Sequence, residues 1–288
     1  MTGHEMRVSE LRRYPVKSMA GEQLEAVDVT EHGFAHDRQY GLVDVETGKV
    51  VSAKRPKRWA RLLEVGARGD GDRVVVDLDG DVVPIDDPAL PARLSAFLGR
   101  DVAVLSEPPP GALFEEAWEA DLKGGIAPFL GNIASAEEDG DIIQVPVSEG
   151  MRDFGAAPGF YEFGAVHLVT TSTLRALAAA APASDFHPER FRPNIVVETD
   201  GEGFLETEWQ GKVVRVGDIA MDVQFTVPRC VMTTLAQAGL PVDRDVLRTI
   251  TKLNRVEILG TIAPCVGVYA RPRNEGTIRL GDEVQLDG

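Results

Sequence analysis

Only two of the 288 residues are cysteine, Cys230 and Cys265. So few thiols exclude a disulfide framework, a built-in iron–sulfur cluster and a Cys-rich structural zinc site. Positive charge is also scarce. Thirty Lys and Arg against 46 Asp and Glu leave a net charge of −16, which disfavours duplex nucleic acid or an anionic membrane as partner. Apolar runs are short, and none approaches the roughly 18 residues that span a bilayer. Residues 1–13 are polar and charged, without a signal-peptide or anchor pattern. The expectation is a cytoplasmic protein with no membrane and no nucleic-acid partner. Familiar catalytic signatures are missing as well: there is no H-E-x-x-H, no G-x-S-x-G and no G-x-G-x-x-G opening a helix. The nearest calcium-loop pattern, from Asp77, has Val82 where Gly is needed and Pro88 where the ligating Glu belongs.

What is present is a globular pattern. Hydrophobic residues make up 43% and charged residues 26%, enough for a sizeable core. At about 150 residues per domain, the length corresponds to one large domain or two ordinary ones. Residues 23–29, 40–46, 72–78, 101–105, 193–199, 211–216 and 219–227 are rich in Val, Ile, Leu and Phe. Turn residues bound most of them, so they read as strands. Helical patterns are fewer: residues 91–98, residues 173–181 beside capping-competent Ser172, and residues 245–256 with Val246, Leu247, Ile250 and Leu253 on one face. Strands and helices do not alternate, which predicts an α+β, mostly β fold rather than a doubly wound parallel sheet. Pro108-Pro109-Pro110-Gly111 and the acidic residues 134–141 mark a crossing, between about residues 107 and 160, from one β-rich half to another.

Against the acidic background, residues 54–61 are conspicuously basic: Lys54, Arg55, Lys57, Arg58 and Arg61 surround Trp59. A solvated loop and a local anion pocket are both open readings. Further cations stand beside turn residues, namely Lys17 in Tyr14-Pro15-Val16-Lys17-Ser18, Arg38 in His36-Asp37-Arg38, and Arg190 and Arg192 in Arg190-Phe191-Arg192-Pro193-Asn194. Guanidinium beside rigid proline suits capture of phosphate or carboxylate. Singly each is an ordinary ion-pair partner; jointly they point to a phosphate-bearing ligand. Cys230 follows a predicted strand and directly succeeds Arg229, whose charge favours thiolate and hence a metal ligand or nucleophile. The bland alternative is an inert buried cysteine, which Cys265, in an apolar run, fits better. His167 reads as a packed strand residue, and the runs Glu115-Glu116 and Glu137-Glu138-Asp139 read as solvated surface.

These residues lie in segments that resemble a known family. Tyr14-Pro15-Val16-Lys17-Ser18, Gly33-Phe34-Ala35-His36-Asp37-Arg38 and residues 55–62 are similar to an N-terminal β-barrel domain. His167-Leu168-Val169-Thr170-Thr171-Ser172, Arg190-Phe191-Arg192-Pro193-Asn194-Ile195, Arg229-Cys230-Val231-Met232-Thr233-Thr234 and Gly276-Thr277-Ile278-Arg279-Leu280-Gly281-Asp282 are similar to the molybdenum-cofactor-sulfurase C-terminal (MOSC) domain. Seven segments in the family's order are specific where one would be weak. The chain thus resembles two-part MOSC proteins, including the mitochondrial amidoxime reducing component and its bacterial counterparts.

The resemblance implies a MOSC N-terminal β-barrel domain at 1–122 and a molybdenum-cofactor-binding MOSC β-barrel domain, with a few helices, at 123–288. It implies a single-pterin molybdenum–molybdopterin cofactor, with Cys230 adding one thiolate to the dithiolene sulfurs; a soft donor suits that place. By position, Lys17, Ser18, Arg38, Arg190, Arg192 and Asn194 would hold the pterin and its phosphate. Thr171 and Ser172 would stand at a strand–helix junction whose N–H groups can receive phosphate oxygens. Arg229 would balance the charge of the metal–sulfur centre. The implied activity is that of an oxidoreductase acting on a small N-hydroxylated or N-oxide substrate. Its electrons would come from a separate redox protein, since no ferredoxin-like cysteine set is present. The other function implied is that of a carrier, for the cofactor or for persulfide sulfur on Cys230. Pyridoxal phosphate, a feature of fused sulfurase relatives, is not expected. Two departures bear on substrate choice: Thr207 stands where amidoxime-reducing relatives carry Asp, and Leu235-Ala236-Gln237 lacks their acidic residue.

Overall fold

A computed structural model describes residues 6–117, 135–136, 142–146, 159–161, 164–237, 239–258 and 261–287. The 122/123 division and Glu137-Glu138-Asp139 lie outside the described residues. Seven strands close a barrel: β1 (Met6–Arg13), β2 (Val166–Thr170), β3 (Ile195–Glu198), β4 (Val213–Val216), β5 (Ile219–Pro228), β6 (Thr261–Pro272) and β7 (Glu283–Asp287). They pair in the order β2-β3-β1-β7-β4-β5-β6, and β6 pairs back onto β2. The fold is mostly β, as the sequence pattern predicts. Four helices accompany the strands among the described residues: α1 (Pro56–Trp59), α2 (Leu90–Leu98), α3 (Thr171–Ala180) and α4 (Asp245–Leu253). None is long and apolar enough to cross a membrane.

The odd strand count has a geometric consequence. A closed ring can reverse direction only an even number of times, so at least one neighbouring pair must be parallel. That pair is β2–β3; the others are antiparallel. Parallel strands cannot be joined by a hairpin, and α3 lies in the crossover between them. β2 is buried at every position. Val166 and Leu168 face the barrel core, while Val169, on the other face, packs with Leu177, Phe191, Val246 and Ile250 beneath α3 and α4. His167 shares the face of Val169.

β1 explains why its own sequence is hard to read. Its register shifts between Val8 and Glu10, a bulge that lets Val8 and Leu11, three apart, both enter the barrel core. The halves of the chain interlock. β1 pairs with β3 and β7, and Ala26–Thr30 pairs with Gly276–Arg279. A second core, including Trp59, Leu62, Val76 and Leu94, lies among α1, α2 and the meander Gly66–Asp70, Arg73–Leu78 and Asp81–Pro84.

Candidate functional site

β5 ends at Pro228, which has no N–H to continue the ladder. The chain passes through Arg229 to Cys230, which caps a 3-10 turn at Val231–Thr234. Cys230, half-buried and in no disulfide, lines a cavity together with Lys17, Ser18, Arg38, Arg190, Arg192 and Arg229. The fold thus gathers seven residues singled out from the sequence, from well-separated segments. Lys54, from the basic segment, lines the same cavity, as do His167 and Tyr269, which were not among the candidates. No Asp or Glu is among the described residues that form its wall.

The wall is built from unusual backbone. Ser18, Arg38 and Arg192 have φ of 62°, 49° and 54°, left-handed values that β-carbon-bearing residues rarely adopt. Such strain persists only where the surroundings hold it, and it concentrates at functional sites. The hold is visible here. Ser18 Oγ accepts from the Ala53 amide at 3.1 Å. Arg192 Nη1 donates to the Met19 carbonyl at 2.6 Å. Arg38 is ion-paired with Asp37. The Arg38 and Arg192 guanidiniums lie 5.1 and 4.2 Å from the centre of the Tyr14 ring, whose burial pushes the phenol up to about 12. Lys17 Nζ and Lys54 Nζ lie 4.8 and 5.5 Å from the centre of the Phe114 ring.

Arg190 and Arg229 direct their donors to carbonyls. Arg190 bonds the oxygens of Asp185, Thr233, Leu235 and Pro241, and so clamps the loop that follows Cys230. Arg229 bonds those of Val266 and Phe191. Burial holds both guanidiniums below their ordinary value. A carbonyl satisfies an N–H without cancelling the charge, so the wall stays positive. Residues 54–61 behave differently. Only Lys54 of their basic residues lines the cavity. Arg55 and Arg58, with Lys49, converge on Glu115, and Trp59 enters the second core. The reading of Glu115 as solvated surface is therefore corrected: it is 5% exposed, because three cations come to it.

Three of the sequence-derived candidates lie away from the cavity wall. Asn194 is buried; its Nδ2 donates to the Arg12 carbonyl and to Asp37 Oδ2, and its Oδ1 accepts from the His167 amide. It fastens the Asp37 loop to β2. Thr171 Oγ1 accepts from the Thr199 amide, and Ser172 is bonded to Thr170. The start of α3 is capped by Thr170 rather than Ser172, and a carboxyl group already sits there. Fully buried Glu206 accepts from Thr170 and Thr173, each at 2.6 Å, and from the Gly267 amide at 3.1 Å. Burial holds its carboxyl above the usual range.

His167 is more than a packed strand residue. Its Nδ1 lies 3.2 Å from the Arg192 carbonyl, which only accepts, so Nδ1 carries the proton. Its Nε2 then accepts from Arg229 Nη2 at 2.6 Å. Burial and the Arg229 charge hold the ring well below its ordinary value. The available signal was a histidine inside an otherwise buried apolar strand. Cys265 matches its sequence reading: it is fully buried, its Sγ donates to the Ala263 carbonyl, and burial pushes the thiol up to about 11.

Comparison with known proteins gives this arrangement a family. The MOSC N-terminal beta barrel domain matches residues 5–83, and the MOSC domain matches residues 158–285. The chain is a MOSC-domain protein. Over 101 residues it is 34% identical to mitochondrial amidoxime reducing component 2 of Rattus norvegicus, covering 33% of this chain and 29% of that protein. It is 25% identical over 252 residues to the molybdenum cofactor sulfurase of Drosophila grimshawi, covering 85% of this chain and 30% of that one. The MOSC-domain chain thus spans about three-tenths of the length of these relatives. Among solved structures, the YUAD protein of Bacillus subtilis aligns over 98% of this chain and 95% of its own at 12% identity, with a TM-score of 0.44.

Proposed function

We propose that the cavity holds a single-pterin molybdenum cofactor, with Cys230 as the protein's ligand to the metal, and that the chain is a reductase of small N-hydroxylated or N-oxide substrates. The observation that carries this reading is one half-buried thiol on a wall with six cationic side chains, in a protein of net charge −16. The residues fit such a group. No cluster of three or more His, Cys, Asp or Glu able to hold a metal occurs among the described residues, so a metal here must bring its other donors with it. Lys17, Arg38, Lys54 and Arg192 offer charge to a phosphate-bearing ligand, and Arg229 offers it beside the thiolate. When bound, the cofactor supplies two-electron oxygen-atom chemistry. The chain orients it, excludes water and receives electrons from a separate redox protein. The names of the amidoxime reducing components support the substrate class.

The test is the molybdenum and pterin content of protein purified from a cofactor-competent host. Near-stoichiometric metal, lost in Cys230→Ala, with reduction of an amidoxime by artificial donors, is the expected result. No metal and no pterin would sink the reading. A second reading, a carrier of the cofactor or of sulfur on Cys230, draws on the long alignment with a cofactor sulfurase. It predicts exchangeable cofactor or a persulfide on Cys230, read as an added sulfur by mass spectrometry.

A further inference from the structure

Three of the hydrogen bonds at His167 tie it to separate segments. Its amide donates to Asn194 Oδ1, its Nδ1 to the Arg192 carbonyl, and its Nε2 accepts from Arg229 Nη2. Each partner leads to a different part of the wall. Asn194 leads to Asp37 and thus to Arg38. The Arg192 carbonyl belongs to a residue at φ 54° and also accepts from Arg38 Nη2 at 3.4 Å. Arg229 immediately precedes Cys230. The ring is seated tightly against Gly267, where a β-carbon would stand 2.3 Å from Nε2, and it packs against Tyr269 with ring centres 5.6 Å apart. We propose that His167 is the positioning residue of this cavity, fixed as the Nδ1–H tautomer, and that it sets Arg192 and Arg229 for the anion they bind. Both ring nitrogens are committed to the protein, so His167 is not the proton donor of the site.

This inference rests on the anion-binding reading of the cavity, and the test separates the two. Long-range proton–nitrogen spectra of the full chain should show Nδ1 protonated and Nε2 bare; protonated Nε2 would overturn the proposal. Inorganic phosphate is then titrated into cofactor-free protein. His167→Gln, whose amide can still donate at one atom and accept at the other, should bind within about twofold of wild type. His167→Phe should bind roughly tenfold more weakly and shift the Arg229 Nε–H resonance, the loss of a charge-assisted hydrogen bond. Wild-type affinity in a folded His167→Phe also overturns the proposal. Should that variant not fold, the tautomer and the His167→Gln titration decide. A wild-type protein that binds no phosphate refutes the anion-site reading instead, and the spectrum still decides the tautomer.

Discussion

Two cation-rich regions of this molecule answer the same electrostatic problem in opposite ways. Around Glu115, Lys49, Arg55 and Arg58 share one buried carboxylate as their ion-pair partner. Around Cys230, Arg190 and Arg229 are buried among carbonyl oxygens, with hydrogen bonds satisfied and charge retained. The first region is closed chemistry. The second is a standing field that an anionic ligand would complete. Charge density along the sequence does not distinguish them; the nature of the acceptor does.

The contrast can be broken most forcefully at Arg190. Arg190→Met leaves four carbonyls without their donor and unclamps the loop after Cys230, so stability in urea should fall by about 3–5 kcal/mol. A loss under about 1 kcal/mol would show that the clamp is ornamental. Glu115→Gln should cost about 1–2 kcal/mol, because its partners are only partly buried, and added salt should recover part of it. Phosphate binding at the cavity should be unchanged; a drop would mean that the two regions are electrically one.

The cysteines sharpen the same comparison on a smaller scale. Cys265 stands opposite Pro228 across β5 and β6, close in the sheet to the residues leading into Cys230. Its thiol is held up to about 11 by burial. The neutral form is the one the fold prefers, so its contribution is complete below the ordinary thiol range and is lost as pH rises towards 11. Tyr14, held up to about 12, acts with the same sign. Denaturation measured across this range should show falling stability, with a shallower slope in Cys265→Ala, which itself costs about 1–2 kcal/mol. Turnover per folded molecule should stay at the wild-type level. Cys230→Ala is the opposite case: stability within about 0.5 kcal/mol, and metal retention and reductase activity abolished.

The comparison also shows what the sequence could and could not disclose. Strands rich in apolar residues, such as Arg73–Leu78 and Ile219–Pro228, and the amphipathic α4 are plain in the letters. β1 is not, because a bulge breaks its alternation and half of its residues are charged. The cations of the cavity stand beside turn residues and are legible as residue types. Where each donor goes is not. Asn194 carries the same family resemblance as Arg192, yet its amide is consumed in joining two segments. Glu206 occupies the helix start that the letters offered to a phosphate. His167 looked like core because its strand is core on both faces.

The pairing of β1 with β7 has a consequence for the order of events in folding. Arg7 meets Glu283 across nearly the whole chain, so this seam is the longest-range contact of the barrel. Closing so large a loop is entropically costly and comes late, after local hairpins such as β4–β5. On a ribosome, β1 leaves the tunnel long before β7, the partner that closes the ring. Until then the barrel is an open sheet with an unprotected edge, and a nascent chain stalled before β7 is the species most exposed to aggregation and to chaperone capture.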